Sequence, residues 1–157
     1  MKMRGFTLIE LIFVLLLIGL LGAVGTSLYR PEKLLSDTRF IAAKLMKSRY
    51  LAIGFDHGNF DGTALAGTVG CVTLDRSSLE GSVAEAGGYR LGSKTRIAVS
   101  GISGNTICFD EKGYPHDGDF SPGSLLHRKV DITVSNGGKS YRITLFPMSG
   151  YAKIVYR

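Results

Sequence analysis

The sequence predicts an α+β protein in which a long N-terminal helix, apolar at first and amphipathic later, packs on a compact antiparallel β head. Three observations carry that expectation. Residues Leu11–Tyr29 run for nineteen positions without a charge. Leu34, Leu35, Ile41, Ala42, Leu45, Met46, Leu51, Ala52 and Ile53 then recur close to the helical period. Beyond Gly54 the chain breaks into short β-rich segments punctuated by glycine.

Each element follows from its residues. As a helix the nineteen-residue run reaches about 28 Å, enough to cross a bilayer core. Only four residues, Lys2 and Arg4 among them, precede Gly5-Phe6-Thr7-Leu8-Ile9-Glu10. Glu10 stands inside an otherwise apolar segment, where charge costs roughly 2.5–3.5 kcal/mol at the helix centre and less near its end. Its residue type therefore points to a specific job. The plain reading is a helix-start carboxylate favoured by the helix dipole, by at most about 1 kcal/mol at an exposed end. An ordinary secretory signal places its cleavage site after the apolar run, whereas the Gly5/Phe6 junction precedes it and would leave the apolar helix in the mature chain. Ala23-Val24-Gly25 is a passable site of the ordinary kind, and cutting there would release a soluble domain. Without any cutting the chain would be a signal-anchored protein.

From Glu32 to Ile53 the polar residues Lys33, Asp37, Lys44, Lys47 and Ser48 fall mostly between the apolar ones, which predicts an amphipathic helix. Pro31 at the junction removes a backbone donor and predicts a bend. The two helical halves together would make a rod of about 70 Å, suited to a filament core. In the head, strands are expected at Val69–Asp75, Tyr89–Leu91, Thr95–Ser100, Thr106–Asp110, Val130–Ser135, Ser140–Phe146 and Tyr151–Tyr156. Asn136-Gly137-Gly138 and Pro147-Met148-Ser149-Gly150 read as turns that fold the last three into a meander. With 157 residues there is room for one core beyond the apolar segment, and no second domain is expected. Cys71 and Cys108 are too few for a metal knuckle or a CxxC motif. They are either one disulfide in a head outside the cytoplasm, adding on the order of 3–4 kcal/mol, or two buried small hydrophobes in neighbouring strands.

Lys2, Arg4, Gly5, Phe6 and Glu10 together resemble the type IV prepilin signature, a short basic leader ending in Gly, then Phe, with Glu five residues into the mature chain. The whole chain resembles the GspH/FimT-like minor pseudopilins and minor pilins. Their Phe-Asp-x-x-Gly-x-Pro turn reads here as Phe109-Asp110-Glu111-Lys112-Gly113-Tyr114-Pro115, and their last short strand after a Gly reads as Gly150-Tyr151-Ala152-Lys153-Ile154-Val155-Tyr156. The resemblance implies a pilin-like organisation: a prepilin leader over residues 1–5, a transmembrane or filament-core helix over 6–30, an amphipathic helix over 31–53 and a periplasmic head over 54–157. It implies that prepilin peptidase cuts after Gly5 and that Phe6 is N-methylated, with Glu10 pairing to the Phe6 amine of a neighbouring subunit. The implied partners are other pilins or pseudopilins and an inner-membrane assembly platform. The implied location is a single pass in the inner membrane of a Gram-negative cell with the head in the periplasm, and then a periplasmic filament. The function so implied is that of a minor pseudopilin of a type II secretion system. The alternatives are a minor type IV pilin that binds DNA for uptake or pilus biogenesis, and a signal-anchored periplasmic binding module.

No enzyme is expected. His57, His116 and His127 lie in loop-like stretches without HExxH spacing, a nucleophile elbow or a phosphate-cradling glycine loop. Asp110, Asp117 and Asp119 gather oxygen ligands beside His116, as a hard cation prefers. They lack the EF-hand spacing, and acidic turn residues are common for local hydrogen-bonding reasons, so no metal or cofactor is expected. The formal charge is +6, and the last thirty residues set Arg128, Lys129, Lys139, Arg142, Lys153 and Arg157 against Asp131 alone. These cations either protect strand edges or form a DNA-binding face in which Arg128, Arg142, Lys153 and Arg157 meet phosphates and Tyr151 or Tyr156 stacks on bases.

Overall fold

The structure, a computed structural model, describes residues 8–28, 32–54, 69–81, 88–121 and 123–156, without the side chains of 22–28. The chain divides into two compact units, Met1–Glu32 and Lys33–Arg157. The first holds α1 (Leu8–Leu28), a 21-residue helix with Glu10 in its first turn. From Leu8 to Leu21 its side chains are all exposed, so its apolar surface goes right round rather than forming a stripe. Among the described residues no helix is long and apolar enough to cross a membrane. The helix expected over 6–30 is thus present from Leu8, but a spanning length is not found. Gly5, Phe6 and the bend expected at Pro31 lie outside the described residues.

The second unit begins with α2 (Lys33–Ala52), which buries Leu34, Asp37, Thr38, Ile41, Leu45 and Ala52 along one face. After it come β1 (Cys71–Thr73), α3 (Arg76–Glu80), β2 (Arg96–Ser100), β3 (Thr106–Phe109), β4 (Pro115–Asp117), β5 (Val130–Asn136), β6 (Lys139–Leu145) and β7 (Ala152–Val155). One sheet has the order β1-β3-β4 and the other β2-β5-β6-β7, both antiparallel. Val130, Ile132 and Val134 of β5 and Ile143 and Leu145 of β6 are fully buried, and α2 packs on β5, β6 and β7 while also touching β1 and β3. One helix face thus joins both sheets into a core that includes Ile41, Leu45, Ile107 and Phe109. The observed α+β head matches the expected class.

Four details differ from expectation. The expected meander gains β2 on its β5 edge, from Arg96↔Ser135 to Ser100↔Asp131. Pro115–Asp117, where no strand was expected, forms β4, which pairs with β3 on one side and is bridged to Leu125 at His116 on the other. Tyr89–Leu91, expected as a strand, is not one. Side chains bind its backbone instead: Leu91 N donates to Glu80 Oε1 at 3.0 Å, Arg76 Nη1 donates to Leu91 O at 3.2 Å, and Lys33 Nζ donates to Arg90 O at 2.6 Å. The short helix that supplies Arg76 and Glu80, α3, was not anticipated. Asp75 caps it, accepting from Ser78 N at 2.9 Å.

Candidate assembly and binding surfaces

Glu10 lies in the first turn of α1 and is exposed among exposed apolar neighbours. With Leu8, Ile9, Leu11 and Ile12 around it, a carboxylate there is suited to a cationic partner brought by another molecule, since an apolar setting strengthens such a pair and penalises the unpaired charge.

The carboxylate of α2 behaves in the opposite way. Asp37 is 0% exposed, and its oxygens accept from Thr95 Oγ1 at 2.6 Å, Tyr89 OH at 2.7 Å and Gly92 N at 2.9 Å, with Lys33 Nζ at 3.0 Å. Burial alone would raise its pKa. The bonds from Thr95, Tyr89, Gly92 and Lys33 outweigh that and hold it below the usual value of 3.8. Lys33 also sits 4.0 Å over the Tyr89 ring, which stacks on Phe40 at 4.4 Å. The knot fastens segment 89–95 to α2 and has no vacancy for a ligand. Its only signal in the sequence is an acid at a position in phase with Leu34 and Ile41, on the face the helix buries.

The weak metal candidates do not converge. Asp110 Oδ1 accepts from Lys112 N and Tyr114 N at 3.0 and 2.7 Å, closing its own turn. Asp117 Oδ2 accepts from Ser103 N and Oγ, and Asp119 Oδ1 accepts from Ser121 N and Oγ. The bonds from Ser121 and Ser124 hold the Asp119 carboxyl below its ordinary range. Among the described residues no group of three or more His, Cys, Asp or Glu could hold a metal ion. Cys71 and Cys108 face each other across β1 and β3 and are joined as a disulfide, with Sγ atoms 1.98 Å apart.

The basic residues sort by strand register, because cross-strand partners share a face. Val130, Ile132 and Val134 point inward, so Asp131, Thr133 and Ser135 define the outer face of the four-stranded sheet. Register then brings Arg96 beside Ser135, Arg142 beside Thr133, and Lys153 beside Thr144. Past the strand ends, Lys129 Nζ lies 5.1 Å over the Phe146 ring, and Phe146 N donates to Tyr151 O at 2.9 Å. Arg142 and Lys153 therefore do share one face. Lys129, counted among the C-terminal cations but not among the phosphate contacts, joins them, as do Arg96 and Phe146, to which sequence reasoning gave no part; the register that brings Arg96 across from another segment is not readable locally. Asp131, the one acid in these rows, accepts from Thr144 Oγ1 at 2.6 Å and lies 3.7 Å from Arg142 Nη1. Tyr156 belongs to the other side, edge-on to Tyr141 at 5.9 Å. Arg128 is exposed just before β5, and Arg157 and His57 lie outside the described residues.

The chain thus sets an apolar N-terminal helix, with one carboxylate in its first turn, ahead of an α+β head in sequence. Residues 1–26 match the family described as the prokaryotic N-terminal methylation motif; the chain carries the type IV pilin and pseudopilin signature. No curated protein and no solved structure matches it.

Proposed function

We propose that the chain is a minor pseudopilin of a type II secretion system, made as a prepilin and acting by assembly rather than by catalysis. The N-terminal methylation motif at residues 1–26 carries this reading, and the exposed Glu10 in an all-round apolar helix supports it. Prepilin peptidase removes residues 1–5 and methylates Phe6, α1 enters the inner membrane with the head in the periplasm, and an assembly platform moves the subunit into a filament of related pilins. Glu10 there faces the amine of a neighbour's Phe6, which sets axial register. Intact-mass analysis of protein made with the peptidase is expected to give a chain starting at Phe6 with one added methyl. Cutting near Gly25, or no cutting, would sink the reading. Processed Glu10→Leu is expected to reach the membrane fraction at parental levels, since the change makes α1 more apolar, and to lose crosslinks to partner pilins. Normal crosslinks would deny Glu10 its role.

A second reading, a DNA-binding minor pilin, is favoured by the outer sheet face. Arg96, Lys153 and Lys129 are exposed there and Phe146 and Tyr151 offer rings, a combination that suits phosphates and bases. Its expected mark is salt-sensitive retardation of DNA, with log K falling by roughly 0.9 per phosphate neutralised for each tenfold rise in salt. Arg96→Gln with Lys153→Gln should abolish the retardation while the head stays folded. No retardation at low salt leaves the secretion reading alone.

A further inference from the structure

His116, on β4, is 9% exposed, and the bonds around it decide where its proton sits. Its Nδ1 is 2.8 Å from Ser124 Oγ, and that hydroxyl lies 2.7 Å from Ser121 O and 2.9 Å from Asp119 O. Carbonyls only accept, so the single hydroxyl proton goes to them, and Ser124 Oγ accepts from Nδ1–H. A neutral ring then carries its lone pair on Nε2. That atom is buried without a hydrogen-bond partner and faces Asp110 Oδ2 at 3.6 Å. A buried lone pair turned towards a carboxylate is both unsatisfied and repelled, whereas a proton on Nε2 makes the contact a charge-assisted pair.

Among the described residues, Asp110, from the turn after β3, and Asp119, from the loop after β4, are the carboxylates acting on the ring. Asp117 is turned to Ser103, and Cys108, opposite His116 in β3, is locked in the disulfide. The Phe120 ring lies 5.8 Å away at a tilt. Arg49 of α2 reaches the same turn at Gly113.

We propose that His116 and Asp110 form a proton-operated latch: a proton on Nε2 ties the Asp110 turn through the imidazole to Ser124, and its loss removes that tie and loosens the turn. The latch spans the two walls of an apolar cleft of about 300 Å³ lined by Tyr114, Leu125, Leu126, His127, Pro147 and Met148. Asp110 Oδ1 accepts from Tyr114 N on one wall; the imidazole meets Ser124, next to Leu125 of the other, and the His116 backbone is bridged to Leu125. The proton therefore controls how firmly Tyr114 is held against the cleft, whichever filament system the chain serves.

The test uses the full chain in detergent micelles. Imidazole ¹⁵N shifts of His116 are followed across pH together with exchange of the Lys112 and Tyr114 amides, corrected for intrinsic base catalysis. Both ring nitrogens are expected to carry protons in the latched state, and loss of the Nε2 proton should speed exchange of the two amides about tenfold. Asp110→Ser keeps an oxygen for the turn but no charge, and should remove the pH dependence. Should Asp110→Ser fail to fold, a folded His116→Phe takes its place and is expected to exchange at the fast rate at every pH. A neutral ring with its proton on Nε2, or amide exchange that ignores His116 titration, would overturn the latch.

Discussion

The two long helices each carry one carboxylate, and the two acids have opposite fates. Asp37 of α2 is fully buried and held by three hydrogen bonds and a lysine of its own unit, whereas Glu10 of α1 is exposed on an apolar surface. The difference teaches that an acid in an apolar helix is not by itself a functional mark. What separates the two is burial and the partners around them. Asp37 finds its partners in segment 89–95 and in Lys33 and is buried with them, whereas Glu10 is exposed in the first turn of α1, as the proposed pairing with another subunit requires.

Stability measurements can break that comparison, beginning with Asp37. Asp37→Ala leaves Tyr89 OH, Gly92 N, Thr95 Oγ1 and Lys33 Nζ without their acceptor, and is expected to cost about 3–5 kcal/mol in denaturant unfolding. A loss under about 1 kcal/mol would mean that the knot is dispensable. The same acid sets a pH limb. Its folded pKa is below 3.8, so the stability it contributes is present above that value and is lost as pH falls through the folded pKa. Asp37→Asn should flatten the acid limb.

Removing the disulfide should cost about 2–5 kcal/mol. Cys71→Ala with Cys108→Ala is the cleaner version of the measurement, and unchanged unfolding would show that the β1–β3 pairing holds without the bond. Asp75→Ala, which removes the α3 cap, is expected to cost about 1 kcal/mol. The effect should be localised to Arg76–Glu80 and the 90–92 backbone they hold, as read by amide exchange. Glu10→Leu is expected to change head unfolding by no more than about 0.5 kcal/mol, the smallest shift of the series, while crosslinking to partner pilins is lost. A large destabilisation by Glu10→Leu would show that α1 and the head share an acid-dependent contact, and the comparison would fail.

Much of this architecture was readable because it rests on local pattern. The alternation in Val130–Ser135 marks a half-buried strand, Asn136-Gly137-Gly138 forms a tight hairpin with Gly137 and Gly138 at positive φ, and the period of Leu34, Ile41 and Leu45 marks α2. What escaped depends on contacts between distant segments. Tyr89–Leu91 has strand composition, yet Lys33, Arg76 and Glu80 bind its backbone from two helices. Arg96 reaches the basic face only through pairing with Ser135. The His116 tautomer depends on Ser124 and on two carbonyls beyond any motif. The N-terminal methylation motif was legible for a different reason: the spacing of its residues relative to the apolar run is itself the signal.

The strand order has a consequence for how the molecule is made. The chain visits the four-stranded sheet with β2, leaves to build β3 and β4, and returns with β5, β6 and β7. The buried face of α2, which precedes every strand of the head in the chain, rests on β6 and β7 as well as on β1, β3 and β5. Leu34, Ile41 and Leu45 thus have no complete cover until the C-terminal strands arrive, and pairings of such long sequence separation form slowly. A head still lacking Ala152–Val155 leaves part of the α2 face uncovered. Biogenesis must keep that surface from other chains until β7 has emerged, and closure of the head waits on that strand.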